Sequence, residues 1–597
     1  MTAAVAAVRL RAERLRVAVS ADALAVAGLA VYSLVLLAAV WGTWGDLDSD
    51  TGYDLVAGIR ISDGEVPYRD FVYFYGPLAP GLSALAALIG GASFGSAVAL
   101  GLLVAAAIVG ATYALARTLV GPLGAFLASA LTAAVALIPN NYSFVVPHTH
   151  AATLGTLALL AMLLLVARYA ALGRERWLVA AGASIGLVAL TKPEPLAAAA
   201  VAAGLWLVLR ALAGARFRRE AALLLAPALA IPAAVYGAFA AAASTHTLVF
   251  ENLYPVDFLD AAGNAMIENR MPMTPASFAE VGGRLALYAA GCAAMVFVGS
   301  RIARGGRLGR ALTAACVAGG LLFVAVALLK PDGLRDGMYY LYGWIPVGAV
   351  VALALLFRRY RRRTGEWSAR AQVELTTCAV LAVLALTTYA SFVVHGWRPQ
   401  MAVYYVPFAA VLLARLHLVE LARSRPAYVL GVLWVAFLAA SAAGLTLKDA
   451  RAESATVHGP GGSLAETPGE AKAYQQALDV IGARTAPGEP ILVTPLLTGL
   501  YPLSDRPSAL RELSLLPGAL PTRTDERAAI ARLEDAGVRL AITDNREWRG
   551  YGHTSFGDSF DRELARWIEG NFNHAATIRV PGDDGRKLDV WLKRRVP

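Results

Sequence analysis

Residues 44–78, WGDLDSDTGYDLVAGIRISDGEVPYRDFVYFYGPL, place Asp46, Asp48, Asp50 and Asp54 beside Arg69, Asp70 and a run of aromatic side chains, between two long apolar segments. Three further segments add charged or titratable groups: His148 and His150 flank Thr149, Lys192 and Glu194 lie within Thr191-Lys192-Pro193-Glu194-Pro195, and His395, Trp397 and Arg398 precede another apolar run. A carboxylate that takes a proton from a hydroxyl, together with cations that stabilise charge building on a departing phosphate, is the chemistry of group transfer from a phosphate leaving group. A lipid-linked phosphate suits that depth, with its tail in the bilayer and its head at the loops.

The elements that must position these groups are membrane helices. The chain has 597 residues, of which 57% are hydrophobic and 16% charged. It returns repeatedly to apolar runs long enough to cross a hydrocarbon core of roughly 30 Å. We expect a polytopic α-helical membrane protein of about thirteen spans, near 21–41, 97–118, 120–138, 150–170, 177–191, 194–213, 221–242, 284–302, 311–329, 342–358, 373–394, 401–416 and 428–447. The net charge of +10 lies almost wholly in short Arg clusters between these runs, which orient helices rather than bind nucleic acid. The basic segment before Ala21 has no cleavage site after it, so we expect a first helix that stays in the membrane.

A cytoplasmic N-terminus puts Arg174/Arg176, Arg216/Arg218/Arg219, Arg301 to Arg310, Arg358 to Arg363 and Arg423/Arg425 on one side, as the positive-inside rule requires. The other side then receives residues 44–78, 139–149, 191–195, 244–283, 330–340, 395–400 and everything after Lys448. After Lys448 charges rise and apolar runs shorten, with a glycine linker expected at 459–462. A helix start at Thr467-Pro468-Gly469-Glu470 and an alternation of strands and helices predict an extracytoplasmic α/β domain over 448–597, following a transmembrane domain over 1–447 whose first external loop is 42–79. Cys292, Cys316 and Cys378 lie within expected spans, with neither disulfide spacing nor zinc spacing.

Asp50-Thr51-Gly52-Tyr53, Gly64-Glu65-Val66-Pro67-Tyr68-Arg69-Asp70-Phe71 and Tyr75-Gly76-Pro77-Leu78 together resemble the first external loop of polyprenyl-phosphate-sugar-dependent glycosyltransferases of the GT-C fold. The resemblance is nearest to the dolichyl-phosphate-mannose protein mannosyltransferase and aminoarabinose transferase relatives of bacteria. It extends to Lys192 with Glu194, to the segment from Arg398 to Pro407 and to the α/β tail. It implies an inverting transfer of a sugar from a polyprenyl-phosphate donor to an acceptor hydroxyl of a glycan, lipid or protein; the high Ala, Arg and Gly content points to a GC-rich bacterial source, hence the plasma membrane with the active face outward. The family's general base falls on Asp50; many members have Asp-Glu where this chain has Ser49-Asp50, and Asp48 stays a second candidate. The family's Lys-Pro-Pro, implicated in gripping the lipid phosphate, is Tyr75-Gly76-Pro77 here, so Lys192, Arg398 or Arg69 must supply the cation. Glu194, His148, His150, Tyr53 and Tyr75 are expected at the donor or acceptor sugar. Asp46, Asp48 and Asp50 leave a divalent cation open. A secondary transporter or lipid flippase and an inactive GT-C-like scaffold are the alternatives that the same spans admit.

Overall fold

The structure is a computed structural model that describes residues 2–45, 47, 51–139, 143–255, 258, 275–330, 345–362, 367–395, 404–583 and 585–594. Helices fill the chain as far as Ala452: α1 (Thr2–Ala39), α2 (Thr51–Ser62), α3 (Leu78–Gly90), α4 (Phe94–Leu119), α5 (Pro122–Ala136), α6 (His150–Leu172), α7 (Glu175–Ala189), α8 (Pro193–Leu212) and α9 (Phe217–Ala243). Then follow α10 (Pro275–Ala303), α11 (Gly306–Leu329), α12 (Ile345–Arg362), α13 (Ala369–His395), α14 (Val406–Arg415) and α15 (Arg425–Ala452). Among the described residues eight helical segments are long and apolar enough to cross a membrane, and α3 and α5 are shorter apolar helices. Each expected span overlaps a helix. Leu78–Gly90 and Thr51–Ser62 are helices where no span or helix was expected, so residues 42–79 are not an extended loop.

Local sequence explains the helix ends. Ser93, Thr149 and Ser424 cap α4, α6 and α15 by accepting backbone N–H groups, and Pro122 and Pro193 open α5 and α8 where a missing N–H costs nothing. The tight α7–α8 hairpin at Thr191 and Lys192 follows from that proline. Small residues and aliphatics from α4, α5, α6 and α8 make the main core, with Trp206 fully enclosed. Large apolar side chains such as Leu34, Leu103, Leu229 and Leu321 stay exposed on the outside of the bundle, which suits a lipid surround.

The bundle ends differ in chemistry. Away from the C-terminal domain, charged side chains pair with one another: Arg117 with Asp22 (2.5 Å), Arg210 with Glu220 (2.6 Å), Arg219 with Glu175 (2.7 Å) and Arg415 with both Glu420 (2.6 Å) and Glu374 (3.3 Å). At the other end the C-terminal domain sits on the 42–79 segment. Leu47 N–H donates to Glu466 (2.8 Å), Arg60 to the Leu510 carbonyl (2.7 Å), and Val72 N–H to the Arg511 carbonyl (2.9 Å).

The expected linker at 459–462 is instead the turn of an antiparallel hairpin, β1 (Ala455–Gly459) with β2 (Gly462–Glu466), because two glycines allow the reversal and Gly462 takes a φ of 117°. The capping threonine, Thr467, starts α16 (Pro468–Arg484) as expected. Short helix α17 (Leu500–Ser504), α18 (Arg523–Asp535) and α19 (Arg562–Asn571) surround a sheet of β3 (Leu492–Thr494), β4 (Leu540–Asp544), β5 (Phe572–Arg579) and β6 (Lys587–Lys593). Its order is β3-β4-β6-β5, with β3 parallel to β4 and the other two pairings antiparallel. One face carries Leu540, Ile542, Leu588 and Val590 into a core shared with Leu47, Tyr53 and Tyr73, so domain and loop fold as one packed unit.

Arg586 ties the sheet to α16. It is buried, bonded to Asp544 (2.8 Å), Glu470 (3.2 Å) and the Tyr474 hydroxyl (3.1 Å). Arg586→Met strands the buried Asp544 carboxylate, and we expect a loss of about 3–5 kcal/mol. The denaturant midpoint of the C-terminal domain, followed by tryptophan fluorescence, measures it.

Candidate active site

The first-loop helix α2 carries a carboxylate inward. Asp54 is 1% exposed and accepts from the Tyr73 hydroxyl (2.5 Å), the Thr149 hydroxyl (3.1 Å), the His150 backbone N–H (2.6 Å) and, at 3.3 Å, the His150 ring Nδ1. Thr149 and His150 begin α6, so a negative charge lies where that helix exposes its unpaired N–H groups and the positive end of its dipole. Burial pushes the Asp54 carboxyl up, but the hydrogen bond and charge of His150 and the Tyr73 hydroxyl outweigh it, holding the group below the usual carboxylate value. Burial, with the Asp54 charge beside it, pushes the Tyr73 phenol well above its usual value. Enclosed by these donors, Asp54 is a structural carboxylate and not one open to a substrate hydroxyl.

Above this clamp the aromatic residues form a continuous chain. Tyr53 stacks on Tyr73 with centroids 5.2 Å apart, and Tyr73 meets Tyr75 edge-on at 5.8 Å. The Tyr75 hydroxyl lies 3.3 Å from His148 Nε2, and the Lys192 ammonium stands 4.7 Å above the Tyr75 ring. Main-chain bonds fix that meeting: Gly76 N–H donates to the Thr191 carbonyl (2.7 Å) and Leu78 N–H to the Leu190 carbonyl (3.1 Å). Gly76 must be glycine, since a Cβ there would stand 2.3 Å from the Leu190 carbonyl carbon.

Lys192, Tyr75 and His148 are therefore brought together. Lys192 makes no ion pair among the described residues; Glu194, two residues on, does not neutralise it, and one of its carboxylate oxygens is buried without a hydrogen bond among the described residues. Other candidates are placed differently. Tyr53 is 4% exposed, donating to the Val72 carbonyl (3.1 Å), so it supports the loop from within. His150 is 1% exposed behind Asp54 and not at an acceptor surface. Arg69 is committed to Asp70 through two hydrogen bonds (2.8 and 2.7 Å) on an exposed turn, and its guanidinium holds the Asp70 carboxyl down at about 2. Asp48, Asp50 and Arg398 lie outside the described residues, as do Asp46, Trp397 and residues 256, 257 and 259–274.

Residues that gave no signal in the sequence complete the support. Asn252 is buried and accepts the Tyr73 N–H (2.9 Å), and Arg60 binds Glu65 (2.7 Å) while lying 5.0 Å over Phe71. The cap at Thr149 was legible as a Thr before an apolar helix; its bond to an aspartate 95 positions earlier was not.

Asp54→Asn keeps the volume and leaves two or more of these donors with a poorer acceptor, so we expect a loss of about 1–3 kcal/mol. Because the folded carboxyl is held below its unfolded value of 3.8, its contribution is complete above that value and disappears as pH falls through the lower folded one. Thermal unfolding in detergent across that acid range should steepen for the parent chain and flatten for the Asn variant.

Residues 75–237 match the family model described as dolichyl-phosphate-mannose-protein mannosyltransferase. No curated relative matches the chain. Among solved structures, the archaeal oligosaccharyltransferase AglB from Archaeoglobus fulgidus, in complex with an inhibitory peptide and a dolichol-phosphate, is 15% identical over 96% of this chain and 75% of that one, with a TM-score of 0.44. ArnT from Cupriavidus metallidurans, bound to undecaprenyl phosphate, is 14% identical over 95% of this chain and 97% of that one, with a TM-score of 0.45. Likeness at this level carries no argument about activity. The matched segment runs through Tyr75, His148, His150, Lys192 and Glu194, and the chain resembles the polyprenyl-phosphate-sugar-dependent glycosyltransferases of the GT-C fold.

Proposed function

We propose that this chain is an integral membrane glycosyltransferase that moves a sugar from a polyprenyl-phosphate donor to an acceptor hydroxyl, with inversion, at the extracytoplasmic face. The observation that carries the reading is Lys192, a half-buried ammonium held over the Tyr75 ring beside His148 with no carboxylate partner among the described residues. A cation fixed in a partly dry rim is worth most where negative charge develops during the reaction, as on a departing phosphate. The family match over 75–237 covers that cluster.

In the proposed step Asp50 takes the proton from the acceptor hydroxyl and the oxygen attacks the anomeric carbon. The bond to the phosphate oxygen breaks on the opposite side, and its electron pair leaves with polyprenyl phosphate, held by Lys192. Asp50 stands four residues before the enclosed Asp54, at the start of the loop whose later part, Tyr75, meets Lys192. The outward orientation rests on the Arg clusters, which belong to loops at the bundle end away from the C-terminal domain.

Purified protein incubated with a panel of radiolabelled polyprenyl-phosphate hexoses and pentoses should consume at least one donor and release polyprenyl phosphate. Asp50→Asn should lower that rate by roughly a hundredfold or more, and Lys192→Met by a similar factor. Undiminished turnover in Asp50→Asn would reject the assignment of the base, and movement of intact donor across a vesicle without consumption would favour a flippase.

A further inference from the structure

The C-terminal sheet has a second face, away from the core that it shares with the first loop. Helix α19 packs there through Leu564 and Ile568. Between α19, the ends of β4 and β6, and the turn at 556–558 lies a cleft of about 290 Å³. That is near the small end of ligand pockets.

Its inner surface is aromatic. Trp591 is half-buried and rigidly set, with its indole N–H donating to the Thr543 hydroxyl (3.1 Å) and the His574 ring meeting it edge-on at 5.1 Å; Phe556 lines another side. The cleft's acids fall into two groups. Asp544 is taken up by Arg586 (2.8 Å), and Asp589 by Lys587 (2.8 Å), His574 (3.0 Å) and Thr577 (2.5 Å), so these hold the wall. Arg562, Arg566 and Glu569, on one side of α19, make no ion pair among the described residues. Among the described residues the two arginines use only Nε, on the Asp558 and Arg562 carbonyls, which leaves the outer guanidinium nitrogens without a partner among them.

An aromatic surface beside uncommitted planar donors and an uncommitted carboxylate suits a ligand with apolar C–H faces and hydroxyls that both donate and accept. A polyanion suits it poorly, since Asp544 and Asp589 are matched by Arg586 and Lys587, and Arg562 and Arg566 share the lining with Asp558 and Glu569, so no excess of positive charge is left. We propose that the cleft between α19 and the β4–β6 edge is a saccharide-binding subsite, with Trp591 as stacking platform and Arg566 and Glu569 as hydroxyl partners. The sheet separates it from the Lys192 cluster. It would therefore hold part of an oligosaccharide remote from any reacting end, and its occupancy does not depend on sugar transfer.

The full-length chain, kept in an amine-oxide detergent so that no sugar headgroup competes, is titrated with mannotetraose, cellotetraose and chitotetraose by calorimetry and saturation-transfer NMR. At least one should bind saturably, with affinity lowered about fivefold or more in Arg566→Ala and in Glu569→Gln. Both side chains are exposed, so these variants keep the fold; Trp591→Leu should lose saturation transfer as well. Binding of none of the three, equal binding in both α19 variants, or competition by inorganic phosphate alone would overturn the subsite. Because the readout is binding, failure here leaves donor consumption by the same preparation as a separate result.

Discussion

A single enclosed carboxylate organises the domain end of the bundle. Asp54 carries its charge into a place that water does not reach, and such a burial is tolerable only with several donors in good geometry. Tyr73, Thr149 and His150 supply them, and each belongs to a different requirement: Tyr73 sets the path of the loop, Thr149 caps α6, and His150 adds both a backbone and a ring nitrogen. Helix α2, the strand-like return of the loop and the first turn of α6 are thereby joined through one residue. Moving any of them exposes the cost of the others.

What the clamp fixes, the rest of the structure transmits. Tyr73 and Tyr75 are two residues apart, so in extended backbone their side chains leave on the same side and their rings meet at 5.8 Å, with the Tyr73 hydroxyl reaching Asp54 and the Tyr75 ring lying under Lys192. The main-chain bonds from Gly76 and Leu78 to the α7–α8 turn set Tyr75 to within the tolerance of a hydrogen bond. From the other side the C-terminal domain holds the same loop through Arg60 and Arg511, and shares its core with Tyr53 and Tyr73. The domain is thus a second wall of the loop. A loop that is pinned from both sides can hold a reactive group in place.

The sequence carried the membrane helices, their caps and the α/β order of the tail because each depends on local periodicity and on end signals within a few residues. It misled wherever a distant partner decided the outcome. The stretch from Thr51 to Ser62 reads as polar loop because its apolar side, Tyr53, Leu55, Val56 and Ala57, faces a core supplied largely by residues beyond 450. His150 and Tyr53 have the residue types of a sugar site, yet their partners, Asp54 and Tyr73, draw them inside. The glycines at 459–462 mark flexibility in composition, while the strands on either side convert them into a turn. Lys192 and His148 each stand beside a proline at a helix end, Tyr75 is two residues before one, and helix ends at one face of a bundle converge.

The contrast that bears on function is between Lys192 and the paired cations at both ends of the bundle, among them Arg60 with Glu65 and Arg69 with Asp70 at the domain end. Away from the C-terminal domain Arg117, Arg210 and Arg415 each have an acidic partner, the pattern of cations kept for structure. At the domain end Lys192 stands over the negative face of a tyrosine ring, and among the described residues it makes no ion pair with the glutamate two residues away or with any other acid. Cation–π attraction offsets part of the cost of partial burial, but it is weaker than the ion pair that Glu194 would have offered. A neutralised lysine would be more stable and useless to an incoming anion. In the proposed reaction, an ammonium without an ion pair among the described residues is available to the departing phosphate.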